Sequence, residues 1–388
     1  MQKISAEVVY TSIKKSIGRG PHQLHEPSFS KKEINIVNDT IKKSYVSSAG
    51  VYGKEFEKEI KKLTKTNYVS TVINGTQALF VSLKALGIGR DHEVLVPALT
   101  FIGTVNAISY TGAEPHFVDS RIEDFGIDCN KLEIYLKNIS KIKKNKCINK
   151  KTGKIISAIV PVHIFGHSCD IENIIKISKK YRFKIIEDAA EALGSFYKKK
   201  HLGTFGDAGC FSFNGNKIIT TGGGGAIITN KKNLAKKIKH LVNIAKVSHK
   251  WDYIHDDIGY NFKMPSLNAA LGLAQIKRLK NFLKAKRKLF KEYSKNFKSI
   301  EGASIFKENK YSKSNYWLQT LIIDKNHKNL KNRILNYCHK KNFYLRPVWK
   351  LISSLKPYQS KQKMNLSGAK DIVDRAINLP SSQDIFLK

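Results

Sequence analysis

The chain has 388 residues, with 69 Lys+Arg against 31 Asp+Glu, a formal charge of +38. Hydrophobic residues make up 41% and charged residues 26%, which excludes a disordered or fibrous chain. No stretch reaches the roughly 18 consecutive apolar residues of a membrane span, and the N-terminus lacks the apolar core of a signal peptide, so a cytoplasmic protein without membrane insertion is expected.

Residues 1–30 read as an N-terminal arm with a turn at Gly18–Pro21. Residues 31–46 read as a helix, with Ile34, Val37 and Ile41 at helical spacing. From about 67 to 230, Val- and Ile-rich runs at 68–73, 93–97, 115–118, 156–163, 183–188, 208–213 and 225–229 alternate with helical stretches at 76–86, 101–110, 130–138 and 170–181. That alternation predicts an α/β fold with a mainly parallel sheet covered by helices on both faces. The basic stretch 139–154 interrupts it and reads as a surface excursion. A long helix at 266–297 and a smaller α+β region, with strands near 316–323 and 343–348, follow. The expected division is an arm at 1–30, a large domain at 31–260 and a small domain at 261–388.

The charge suggests a nucleic-acid partner, but only nine of the 69 basic residues are Arg. Arginine is the residue that forks onto phosphates and base edges. Abundant Lys, Ile and Asn instead fit codon bias in an AT-rich genome, and no nucleic-acid partner is expected. Cys129, Cys147, Cys169, Cys210 and Cys338 form no CxxC pair and no metal-ligand spacing, so reduced thiols and no metal are expected.

Three segments offer chemistry. In Ile73-Asn74-Gly75-Thr76-Gln77 a strand gives way to an apolar helix, whose first N–H groups and Thr76 hydroxyl suit an anion. In Ile186-Glu187-Asp188 a buried strand ends in acids, where a carboxylate can hold a cationic ring nitrogen. In 207–226 a strand ending at Phe213 leads to Lys217, then Thr220, Thr221 and four glycines. A desolvated lysine is a nucleophile toward carbonyls, and Ser212 lies five residues before it, placed to bind phosphate. The order is not that of a P-loop, because the Lys precedes the glycines. Taken singly, each segment also reads as an ordinary capped turn, a pair of solvated acids or a flexible loop. Together they suit pyridoxal 5′-phosphate (PLP).

The order of LHEPSFS (24–30), INGTQAL (73–79), GAEPHFVDS (112–120), IEDAAEALGSFY (186–197), GTFGDAGCFSFNGNKIITTGGGGAI (203–227) and IGYNFKMPSLNAALGLAQ (258–275) resembles the DegT/StrS family of PLP-dependent sugar aminotransferases. The resemblance covers about residues 24–380. It implies the type I, aspartate aminotransferase-like fold: a large mainly parallel sheet domain plus a smaller α+β C-terminal domain. LHEPSFS, the basic insertion and GNKIITTGGGG are most similar to the LegC-type subgroup. That subgroup moves the amino group of L-glutamate to C4 of a nucleotide-linked 4-keto-6-deoxy-2-acetamido sugar, on legionaminic acid or bacillosamine-type routes.

The resemblance implies Lys217 as the Schiff-base lysine and Asp188 as the partner of the pyridine nitrogen. Phe101 would stack on the ring, and Gly75, Thr76 and Ser212 would hold the phosphate. Asn261 would reach the cofactor of a neighbouring subunit, which implies a homodimer with shared sites. His255, Arg346 and Trp349 would line the sugar-nucleotide end, a surface ion pair being the competing reading of Arg346. Glu191 stands where many relatives place Gln or His against the cofactor's 3-oxygen, and Gly223 where many carry Glu. His163 and His167 read as structural. Sugar 3-dehydration is disfavoured because relatives performing it replace the lysine with His. Amination at C3, and a non-catalytic nucleic-acid binder, are the alternatives.

Overall fold

Apolar periodicity switches between two and 3.6 along the chain, and the computed structural model, which describes residues 2–387, follows those switches closely. Its elements in order are α1 (Ala6–Ile17), α2 (Lys31–Lys42), α3 (Tyr52–Thr64), β1 (Tyr68–Val72), α4 (Gly75–Ala85), β2 (His92–Pro97), α5 (Ile102–Tyr110), β3 (Glu114–Val118), α6 (Cys129–Ile139), β4 (Ile155–Ile159), α7 (Ile171–Tyr181), β5 (Lys184–Asp188), β6 (Ala208–Ser212), β7 (Gly225–Thr229) and α8 (Lys232–Val242). The long α9 (Ser266–Phe297) leads to β8 (Ala303–Ile305), β9 (Gln319–Ile323), α10 (Leu330–Lys340), β10 (Arg346–Pro347), α11 (Ser367–Arg375) and β11 (Ala376–Leu379).

The large sheet has the order β3-β2-β4-β5-β6-β7-β1. Among these seven strands β7 runs antiparallel to both its neighbours, and the other neighbouring pairs are parallel. Its central strands are buried on both faces, so Val94, Leu95, Val96 and Ile159 have no exposure. The α+β region is an antiparallel sheet of order β8-β9-β11-β10.

The structure refines two expectations. The arm expected at 1–30 contains a packed helix: Val9 and Ile13 of α1 are fully buried in a second core with Leu289, Tyr293 and Phe297 of α9 and with Leu321 of β9. The basic stretch 139–154 is a surface excursion with regular structure. Ser140–Lys143 and Lys146–Asn149 form a hairpin that joins β4 through Ile148 and Ile155. Its lysines face solvent while Cys147 and Asn149 are buried, and the Asn149 amide donates to Glu93 Oε2 at 2.9 Å. The run of lysines hides this two-residue alternation from a reading of composition.

Helix α9 joins the two cores. Leu273, Ile276, Leu279 and Phe282 enter the core around the large sheet, and Leu289, Tyr293 and Phe297 enter the second. The chain after β10 also returns to the first core through Leu351, Ile352 and Ile372.

The sheet also needs close backbone approach. A Cβ on Gly209 in β6 would lie 2.0 Å from the Gly203 carbonyl oxygen. Gly209→Ala is therefore expected to destabilise the fold by about 2 kcal/mol, because the obstacle is backbone and cannot rotate away. Urea unfolding of the cofactor-free protein measures it; an unchanged midpoint would show that β6 can shift.

Candidate active site

The carboxyl ends of β1, β5 and β6 open on one side of the sheet, where crevices form in open α/β folds. A cavity of about 240 Å³ lies there, and its walls include Gly75, Thr76, Phe101, Asp188, Glu191, Ser212, Lys217 and Trp349. The structure thus brings together eight of the residues singled out from sequence.

Each is placed by its element. Asn74 caps α4 by accepting the Gln77 N–H at 2.9 Å, which leaves the first amides of the helix facing the cavity. Gly75 sits so close to Ser212 that a Cβ would meet the serine Cβ at 2.8 Å. A side chain there would fill the space between helix terminus and hydroxyl. Phe101, the residue before α5, is 55% exposed, and its ring centre lies 6.4 Å from that of Trp349. The open ring face is available to a flat ligand.

Strand alternation sends Glu187 and Asp188 to opposite faces of β5. Glu187 anchors the following loop, accepting N–H groups from Gly203, Phe205 and Gly206 at 2.8, 2.6 and 2.7 Å, and sits 3.0 Å from His163 Nε2. His163 is thereby structural, as is His167, whose buried ring packs against Phe306 and Tyr316 with its pKa lowered to about 3 by desolvation. Asp188 accepts from Thr104 Oγ1 at 2.6 Å and from the Ala190 N–H at 3.1 Å. Burial pushes its pKa up; Thr104, Ala190 and the more distant Lys217 only partly offset that cost.

Lys217 Nζ donates to Glu191 Oε1 at 3.1 Å and lies 4.0 Å from the centre of the Trp317 ring. Glu191 is held from behind by the Phe165 N–H at 2.8 Å, presented by a left-handed backbone (φ 55°). Burial raises the Glu191 pKa, with the Lys217 ammonium the largest opposing influence.

Sequence reasoning missed Thr104, Asn216 and Trp317. Trp317 is fixed by its indole N–H donating to the Asn216 carbonyl at 2.6 Å and by its backbone N–H donating to Asn315 Oδ1 at 2.8 Å. Nothing in the sequence links Trp317 to a lysine one hundred positions earlier; Thr104, a hydroxyl in an apolar helix, was the readable signal. Three expected residues lie outside this chain's cavity walls. His255 is exposed on a short hairpin, its ring bonded to the Ile244 carbonyl at 2.8 Å. Asn261 is exposed and bridges to Asn243. Arg346 is exposed on β10, an edge strand, and forms no ion pair among the described residues, which counts against the surface-ion-pair reading.

The family model for the DegT/DnrJ/EryC1/StrS aminotransferases matches residues 27–387. The chain belongs to that family. It is a PLP-dependent aminotransferase. Among its relatives, the GDP-perosamine synthase of Escherichia coli O157:H7 is 38% identical over 92% of each chain. The UDP-4-amino-4,6-dideoxy-N-acetyl-beta-L-altrosamine transaminase of Campylobacter jejuni is 33% identical over 72% of this chain and 71% of its own. The solved structure of Helicobacter pylori PseC, an aminotransferase involved in the biosynthesis of pseudoaminic acid, superposes with a TM-score of 0.83 at 25% identity, covering 92% of this chain and 93% of that one. The residues present fit PLP: an anion-binding helix terminus with a hydroxyl, a buried carboxylate lacking a cation in contact, an exposed aromatic face and an amine.

The raised Asp188 pKa has a sign that can be checked. A carboxylate whose folded pKa exceeds its unfolded value binds protons on folding, so its penalty is absent at low pH and grows as pH rises through and above the ordinary value of 3.8. Asp188→Asn is expected to raise the melting temperature of the cofactor-free protein at pH 7 by a few degrees, and to leave it unchanged at low pH. Calorimetry at both pH values measures it; a lower melting temperature at pH 7 would show that the carboxylate is stabilising.

Proposed function

We propose that this chain moves the amino group of L-glutamate to C4 of a nucleotide-linked 4-keto-6-deoxy hexose, in the cytoplasm, for a bacterial surface glycan. The observation that carries the reading is Lys217 Nζ, held between Glu191 and Trp317 in the cavity that Asp188 and the α4 terminus also line. Bound PLP supplies a carbonyl that condenses with amines and a protonated ring that stores an electron pair. The chain's own residues do the rest. Gly75, Thr76 and Ser212 bind the phosphate, and Phe101 covers one face of the ring. Asp188 keeps the ring nitrogen protonated, and in doing so gains the cation its buried site lacks. Lys217 would hold the cofactor at rest; once displaced by the donor, its amine would carry the proton from the donor's α-carbon to the cofactor's carbonyl carbon and, in the second half-reaction, carry one from there to C4 of the sugar. Trp349 bounds the sugar side. Asn261, His255 and Arg346 act at the shared sites of a homodimer, which accounts for their exposure in a single chain.

The name of the C. jejuni relative, a 4-amino-4,6-dideoxy sugar with an N-acetyl group, supports C4 amination of a 2-acetamido substrate. The legionaminic acid or bacillosamine-type reading shares that C4 chemistry with the C. jejuni relative but not its sugar. A second reading, a GDP-linked hexose, is favoured by the 38% identity to GDP-perosamine synthase. Incubating the purified enzyme with L-glutamate and each 4-keto sugar nucleotide separates the two, with release of 2-oxoglutarate as the readout. Preference for a 3-keto isomer would overturn both.

Lys217→Ala is expected to lower turnover by at least about a thousandfold and to abolish borohydride fixation of the cofactor to the protein. Fixation on another lysine, read by peptide mass, would remove Lys217 from this role.

A further inference from the structure

Of the seven lysines on helix α9, Lys286 is buried and the other six, Lys277, Lys280, Lys284, Lys288, Lys291 and Lys295, are exposed. At 100° per residue their spacings of 3, 4, 4, 3 and 4 confine all six to an arc of about 80°. They form a straight row about 27 Å long, at 1.5 Å per residue. The helix's only acid, Glu292, falls outside that arc. The two arginines of α9 behave differently: Arg278 pairs with Glu33 at 2.8 Å and Arg287 with Glu308 at 2.5 Å. Among the described residues, none of the six lysines has an acidic partner. None of them lines the cofactor cavity.

Beside the row runs a groove of about 570 Å³ between α3 and α9. Its lining includes the apolar Leu63, Phe196 and Leu283, the lysines Lys277, Lys280 and Lys284, and one acid, Glu59.

We propose that this face of α9 is a docking surface for an anionic phospholipid bilayer, which would hold the enzyme peripherally at a membrane. A flat row of unpaired ammonium groups complements a plane of phosphate headgroups, and lysine stems can lie along apolar surface while their charges stay in the headgroup layer. The apolar groove gives room for part of a lipid, which hydrated phosphate alone would not need. A nucleic acid is the lesser fit: the row is straight rather than a channel, and the arginines that would fork onto phosphates are already paired. No described helix is long and apolar enough to cross a membrane.

The test is co-sedimentation of the PLP-loaded enzyme with vesicles of phosphatidylcholine containing one third phosphatidylglycerol, against phosphatidylcholine alone. Binding is expected only to the anionic vesicles, and is expected to fall as salt is raised. The double variant Lys284→Gln/Lys288→Gln is expected to lower the partition coefficient about twentyfold, at roughly fivefold per charge. Its cofactor spectrum and turnover should match the parent's, which separates lost docking from a damaged fold. Equal binding to neutral vesicles, no binding to anionic ones at low salt, or full binding by the variant would each overturn the proposal. Displacement of the enzyme from anionic vesicles by a stoichiometric amount of duplex DNA would reassign the row to nucleic acid.

Discussion

The site depends on one constraint: buried carboxylates at the end of β5 and just beyond it must be satisfied without water. Glu187, Asp188 and Glu191 are each less than a tenth exposed. They solve the problem in three ways. Glu187 accepts three backbone N–H groups and abuts His163, so its charge is used up in holding a loop. Glu191 takes the Phe165 N–H and the Lys217 ammonium. Asp188 receives only a hydroxyl and one N–H, and is the member left for an incoming cation. A strand that alternates faces sends adjacent acids to unrelated tasks, one structural and one facing the cavity.

The second dependence is on packing that reaches across the chain. Asn315 has no exposure; its amide donates to the carbonyls of Glu191 and Leu193 at 2.8 and 2.9 Å, while its oxygen accepts the Trp317 N–H. One side chain thus ties the loop carrying Glu191 to the segment carrying Trp317, and Lys217 lies between the two. Behind Trp317, the fully buried Lys286 of α9 donates to the Trp317 carbonyl at 2.9 Å and to that of Ser381. Desolvation pushes its pKa down. The long helix therefore supports the aromatic wall of the site from within, and presents its lysine row on the opposite, solvent side.

The alternation of apolar runs was enough to read the large sheet, because parallel strands buried on both faces are nearly continuous Val and Ile. The anion-binding turn, the strand-end acid and the lysine were legible for a related reason: each lies within a few residues of a strand end, so local order carries them into one crevice. Trp317 and Asn315 were not legible, since their neighbours are set by tertiary packing about a hundred residues away. The hairpin at 140–149 was hidden by its lysines. The burial of α1 was hidden because its partners on α9 and β9 lie almost three hundred residues later.

Charge balance explains why these parts belong together. Without cofactor the cavity holds two carboxylates, Asp188 and Glu191, against one ammonium, Lys217. The Lys217 ammonium pairs with Glu191, which leaves Asp188 without a cation in contact, and burial raises the pKa of both. On the proposed reading, Asp188 would receive the positive charge of a protonated ring nitrogen, and the amides at the α4 terminus would receive the phosphate. The same accounting bears on Glu191. Its Oε2 is already occupied by the Phe165 N–H, so only Oε1 faces the cavity, where Lys217 holds it. On the proposed reading, Glu191 would lose its cation in a buried site once Lys217 engages the cofactor, and taking up a proton would become the less costly state. A neutral Glu191 would then be able to donate to the cofactor's 3-oxygen. On this account the acid at this position is compatible with a contact that a fixed negative charge would oppose.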